Sequence, residues 1–404
     1  MSPSALPDGE AAPEDGALPA SAAAELHRRA LGAYVHVPFC ATRCGYCDFN
    51  TYTAAELGAE PGDARTSYLR ALATEIDVAA RTLTGAPPLS TVFFGGGTPT
   101  TLAVDDFASV LGRLRARLGM ADDAEVTTEA NPDSVTEQSL VGLREAGVNR
   151  ISFGMQSSAP HVLATLERTH TPGRALQAVR WARAAGFDSV SLDLIYGTPG
   201  ESLDDWRRSL DDALSVNPDH VSAYSLIVED GTRLAAQVRL AVLPMPDEDD
   251  LADKYEVADT LLRQAGLEWY EVSNWARPGH ACRHNLAYWR GDDWWGFGPG
   301  AHSHVGGVRF WNVKHPRTYA GRLADGLSPA AGRERLTAED RRIERILLEL
   351  RLREGLPRAV LTDAEAARVP DLASRGWLHV WDDRVAVTDD GRLLADAAVR
   401  ELLG

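Results

Sequence analysis

The chain has 404 residues, a formal net charge of -17 and a hydrophobic fraction of 44%. That length suffices for two or three packed units. The acidic balance argues against tracking a nucleic-acid backbone, which needs clustered Lys and Arg to release counterions, and no run of about eighteen apolar residues offers a membrane span.

Residues 1–30 are rich in Ala, Pro, Gly, Asp and Glu with few large apolar side chains, a composition expected of a disordered tail. The first residues also lack a basic segment followed by an apolar core. Four cysteines are too few for a disulfide framework in a chain this long, so a reducing cytoplasm is the expected setting.

From residue 33 strand and helix patterns alternate. A short alternating apolar run from Tyr34 leads into Cys40-Ala-Thr-Arg-Cys44-Gly-Tyr-Cys47, which places three of the four cysteines within eight positions. Thiolate is a soft ligand suited to Fe–S clusters, zinc or copper(I). A structural zinc site normally closes with four ligands, often as two separated pairs, and this C-x3-C-x2-C loop has no partner pair nearby. A zinc clip and a chance run of thiols remain alternatives on the residues alone.

A helical pattern over residues 67–80 precedes a buried strand, Thr91–Phe94, that runs into Gly95-Gly96-Gly97-Thr98-Pro99. Such glycines allow close backbone approach to a ligand and expose N–H groups, though a tight turn reads the same way. After a helix at about 104–119, the strand ending in Glu129 is stopped by Asn131-Pro132. Further strands end in Gln156, near Asp193 and near Ile227, separated by helices at 173–185 and 202–215. Six βα units in succession imply a parallel sheet with right-handed crossovers and, being fewer than eight, a partial barrel. The carboxyl ends of such strands converge on one mouth.

Beyond residue 228 the alternation loosens, and residues 266–330 carry the most aromatic stretch, His284-Asn-Leu-Ala-Tyr288-Trp289 followed by Trp294-Trp295. Clustered Trp and Tyr beside a histidine suit a flat macrocycle with an iron ligand at its face. They equally suit a packed aromatic loop that closes the barrel edge, with His284 hydrogen-bonded inside it. Cys282 reads as a haem-side thiolate, a redox-sensitive thiol or a buried small hydrophobe. Residues 335–404 read as a small winged-helix-like α+β unit. Its acidic residues, among them Asp363, Asp382, Asp383 and Asp389, argue against a DNA-reading face.

The cysteine triplet resembles the cluster loop of the radical SAM superfamily, in which three cysteines hold a [4Fe–4S] cluster and S-adenosylmethionine (SAM) chelates the open iron. The resemblance is to its coproporphyrinogen-oxidase-like branch and spans residues 33 to about 400. It implies that Cys40, Cys44 and Cys47 are the cluster ligands. Tyr34, Gly96, Gly97, Thr98, Glu129, Gln156, Arg168, Asp193 and Ile227 stand where that branch contacts SAM. Arg168 lies twelve residues after Gln156 and Asp193 thirty-seven after it, as in the branch. By that likeness the glycine loop cradles the methionyl amino group, Arg168 pairs with the carboxylate, and Glu129 and Asp193 bind amino or ribose hydroxyl groups. The HNxxYW run is similar to the signature of the branch's haem chaperones, which implies haem at His284, delivery to an acceptor protein, and a lid or docking role for the C-terminal unit. Two features separate this from the decarboxylating oxidases of the same branch. Phe49 stands where they have an additional cysteine, and residues 1–30 are not expected to form their ordered N-terminal extension.

Overall fold

The computed structural model describes residues 9–58 and 61–404. Six parallel strands form its centre: β1 (Leu31–Val37), β2 (Leu89–Gly96), β3 (Met120–Ala130), β4 (Arg150–Gln156), β5 (Ser189–Tyr196) and β6 (His220–Ser225). They pair in sequence order, as the six βα units require. Their near-continuous apolar runs are what strands covered on both faces need. In β1 the alternation sorts the side chains. Ala33, Val35 and Val37 are fully buried in the core, whereas Gly32, Tyr34 and His36 face the barrel interior, where Tyr34 lies beside Phe93 and His284. The covering helices follow the same logic. Val104–Leu118 buries Phe107, Val110, Leu111 and Leu114 at helical spacing, and Leu203–Ser215 starts with Ser202 capping the Asp205 N–H.

Residues 266–330 are built into both edges of this sheet. On the β6 side, β7 (Glu268–Glu271) and β8 (Asn274–Ala276) add antiparallel strands. On the β1 side, β9 (Asp293–Phe297) pairs in parallel with β1, followed by the antiparallel β10 (His302–Val305), β11 (Val308–Asn312) and β12 (Ala330–Arg335). The aromatic stretch, for which a packed loop was one of two readings, is a helix, Arg283–Trp289, followed by β9. Trp295 and Phe297 alternate inward, which is a strand's pattern.

The amino-terminal expectation needs correction. Residues 1–8 lie outside the described residues, but residues 9–30 pack against the body. Ala22 and Leu26 are buried, Glu10 exchanges both backbone hydrogen bonds with Arg333 on β12 at 3.0 and 2.9 Å, and its carboxylate pairs with Arg333 and Arg335. Small residues fill shallow space here, and an ion-pair cluster holds the segment where apolar mass is scarce. At the other end, β13 (Leu356–Pro357), β14 (Leu378–Trp381) and β15 (Arg384–Val387) form a separate antiparallel sheet with helices Ala338–Glu349, Val369–Ser374 and Ala395–Leu403. No helix among the described residues is long and apolar enough to cross a membrane.

Candidate functional site

The cysteine loop leaves the carboxyl end of β1 and is held on three sides. Cys40 N–H donates to Tyr52 O at 3.1 Å, and Cys47 N–H donates to Cys44 O at 3.3 Å, closing a turn that brings the thiols round. Gly97 and Thr98 donate to Val37 O and Phe39 O, both at 2.8 Å, which stitches the glycine loop to the cysteine loop. The Asn50 side-chain amide donates to Pro299 O and Lys314 O, anchoring the loop's far side to the late part of the chain.

The three cysteines lie on this one loop, each half-buried. All four cysteines are free. Burial pushes the Cys47 thiol up to about 11, with further upward contributions from Cys40 and Cys44. Arg168 Nη1 lies 3.5 Å from Cys44 Sγ, and Thr98 Oγ1 lies 3.9 Å from Cys40 Sγ. Among the described residues no three His, Cys, Asp or Glu side chains draw together around a single ion.

The residues that the resemblance assigns to SAM stand around the same mouth. Gly96 has φ +105°, and a Cβ there would meet the His36 ring at 2.5 Å; at Gly97 it would meet Phe39 O at 2.5 Å. Only glycine fits either position. The Gly97 and Thr98 N–H groups already have partners, so the loop does not expose them as the sequence reading expected. An amino group is itself a donor, and the loop's carbonyl oxygens are the chemically apt partners for it.

Glu129 accepts from Gly96 N–H at 3.2 Å, and its carboxyl is pushed up to about 8 by burial and then by Asp193. Asp193 accepts from Ser152 Oγ at 2.8 Å and is likewise raised by burial. Two buried carboxyls in one chamber favour a cationic or hydroxyl-bearing guest. Gln156 ends β4 with φ 65°, a strained backbone for a residue with a side chain. Arg168 Nη2 donates to Gly154 O at 2.9 Å while its buried Nε lacks a partner. Ile227, just beyond β6, is 65% exposed at the rim. Sequence reasoning missed His36, which accepts from Tyr34 Oη at 3.1 Å and donates to Asn50 O at 2.8 Å. The strand alternation that turns Tyr34 inward is the signal that could have found it.

His284 is only 2% exposed and lies inside the barrel, stacked on Phe93. Its ring nitrogens pair with Thr91 Oγ1 at 2.8 Å and Tyr288 Oη at 2.9 Å. Of the two readings the residues allowed, this geometry is the hydrogen-bonded one. Cys282 is buried against Glu125 and pushed up to about 12, first by burial. It is therefore a neutral buried thiol and not a ready thiolate.

A parallel partial barrel with three thiols, a glycine loop and buried carboxyls at one mouth defines the radical SAM class, and the family model described as the Radical SAM superfamily matches residues 34–213. The chain is 54% identical over 93% of its length, and 95% of the relative's, to a protein of Mycobacterium tuberculosis named heme chaperone HemW. It is 34% identical to the Escherichia coli protein of that name, covering 92% of this chain and 98% of that one. Among solved structures it is similar to the E. coli coproporphyrinogen III oxidase HemN, a radical SAM enzyme, with a TM-score of 0.80 and 26% identity over 95% of this chain and 92% of that one. The chain belongs to the HemW family.

Proposed function

We propose that this protein is a haem chaperone that binds haem and passes it to an acceptor protein, with Cys40, Cys44 and Cys47 holding a [4Fe–4S] cluster that takes SAM at its open iron. The observation that carries the reading is the 54% identity, over nearly the whole chain, to a protein named as a heme chaperone. The residues at the mouth fit the cluster and its ligand: free thiols from one turn, a guanidinium with an unpartnered buried Nε, and a glycine cradle that any Cβ would fill. When bound, the cluster supplies an iron vertex for chelation and a path for an electron. Around it, Arg168 orients the SAM carboxylate, for which its fork is shaped, Glu129 and Asp193 take up amino or hydroxyl groups, and Tyr34, Gln156 and Ile227 line the chamber. His284 belongs to the haem site in this reading, and its influence reaches outward through Tyr288. Free cysteines throughout favour a reducing cytoplasm as the compartment.

The test is anaerobic reconstitution followed by haem titration and transfer to an apo-haemoprotein. Iron, acid-labile sulfide and a Soret band retained through desalting are expected; purified protein that retains no haem would refute the chaperone reading. The likeness to the oxidase structure favours a second reading, oxidative decarboxylation of coproporphyrinogen III. The ordered residues 9–30 remove one of the two features set against it, and Phe49 remains. Vinyl products above the background of a triple-cysteine variant would support that second reading.

A further inference from the structure

The cysteine loop does not rest on the parallel strands alone. After Cys47 the chain turns back, and on this return Asn50 and Tyr52 bind a part of the sequence some 250 residues later. Asn50 is 8% exposed. Its Nδ2 donates to Pro299 O at 3.0 Å and to Lys314 O at 2.9 Å, and its Oδ1 accepts from Tyr52 Oη at 3.2 Å. Its backbone oxygen accepts from His36 Nε2, on β1, at 2.8 Å. Tyr52 O takes the Cys40 N–H, and Tyr52 Oη also lies 3.3 Å from Lys314 O.

The surface that receives Asn50 is Gly298-Pro299-Gly300, the turn after β9. Gly298 has φ +99°, and a Cβ there would meet His36 O at 2.5 Å; Gly300 has φ +74°, and a Cβ there would run into the Asn50 amide. Close approach of the two loops needs glycine at both places. Glu75, on the helix Pro61–Thr82, holds this turn from behind and is 1% exposed. Its carboxylate accepts from Gly298 N–H at 2.8 Å, Asn312 Nδ2 at 2.7 Å and Tyr319 Oη at 2.5 Å, while Asn312 Nδ2 also donates to Gly298 O at 2.9 Å. A carboxylate buried this deeply is costly unless its oxygens are filled, and these three donors all come from residues 298–319. That stretch lies beyond residues 34–213, where the superfamily pattern ends.

Resting on the cluster reading, we propose that Asn50, Glu75 and the Gly298-Pro299-Gly300 turn form a clamp that holds the cysteine loop in place for the cluster. The barrel core then depends on residues 298–319 to keep it. Asn50 and Glu75 are positioning residues, acting on the thiols through the loop backbone.

The experiment compares full-length wild type with Asn50→Asp, Gly300→Ala and Glu75→Gln. Asn50→Asp keeps the shape but sets an oxygen against two carbonyls, Gly300→Ala crowds the same amide from the other side, and Glu75→Gln sets an NH2 group among donors. In metal-free protein, Asn50→Asp is expected to speed amide exchange at Cys40 and Tyr52 at least about tenfold, the loss of two buried hydrogen bonds, with β4 and β5 unchanged. After anaerobic reconstitution each variant is expected to release iron to a chelator at least about threefold faster than wild type. Asn50→Asp is also expected to blunt the change that SAM makes in the EPR spectrum of the reduced cluster, which general destabilisation would not alter. Should Gly300→Ala fail to fold, the isosteric Asn50→Asp carries the test. If the variants match wild type in exchange, iron release and SAM response, or if only their melting temperatures fall, the clamp is overturned while the cluster reading stands. If wild type assembles no cluster, the cluster reading falls, and exchange in the metal-free chain still decides whether the clamp holds the loop.

Discussion

Gly97 shows how little room the cluster loop has. A methyl group there would sit 2.5 Å from Phe39 O and 2.9 Å from Val37 O, the atoms that tie the glycine loop to the cysteine loop. Gly97→Ala is therefore expected to cost about 1–3 kcal/mol, as overpacking does, and to lower iron and sulfide per chain after reconstitution. Full cluster content with an unchanged melting temperature would contradict this. His284 governs a different property. Burial holds its folded-state pKa down at about 3, below the ordinary 6.5, so between those values the unfolded chain binds a proton that the folded chain refuses. Its contribution to stability is complete above pH 6.5 and is lost as pH falls through that window towards 3. His284→Phe, which keeps the stacking on Phe93, is expected to flatten the fall in denaturation midpoint between pH 7 and 4.5; equal slopes for both proteins would refute the assignment. At this scale the cysteine triplet was legible because ligand chemistry demands a spacing. The orientation of His284 was not, since sequence alone does not say which side of a helix faces the barrel.

Among the elements, the helix Arg283–Trp289 has seven residues and carries His284, so what secures it matters. Its amino end is held by a distant carboxylate: Glu125 on β3 accepts from the N–H groups of Arg283 and His284, both at 3.0 Å. Glu125→Ala leaves those donors without a partner and is expected to cost about 1–2 kcal/mol, with faster amide exchange across residues 283–289. Unchanged protection there would mean that packing alone holds the helix. The same pairing explains what sequence could not give. Strands β1–β6 were readable because each is an apolar run bounded by turn residues and followed by its own helix. Strand β9 was not, because Trp294-Trp295-Gly-Phe297 satisfies an aromatic loop equally well. Its partner β1 lies more than 250 residues earlier, and local pattern carries no trace of so remote a ladder. Residues 9–30 misled for the opposite reason, since their small side chains look unable to pack but need only fill a shallow edge.

Over the whole molecule, a file of rings runs from Tyr34 through His284, Tyr288 and Trp294 to His304, with centroid spacings of 4.6 to 6.4 Å. The twelve-stranded sheet also has outer borders, and an open strand edge is a template for pairing with another molecule. Strand β12 is guarded by the segment around Glu10, held by two backbone hydrogen bonds to Arg333 and by one carboxylate shared between two guanidiniums. Surface ion pairs weaken as ions screen them, so brine should loosen this latch and encourage the protein to pair with itself. A variant lacking the first eighteen residues should do so already in dilute buffer, and light scattering across a salt series would show whether this bolt keeps neighbours apart.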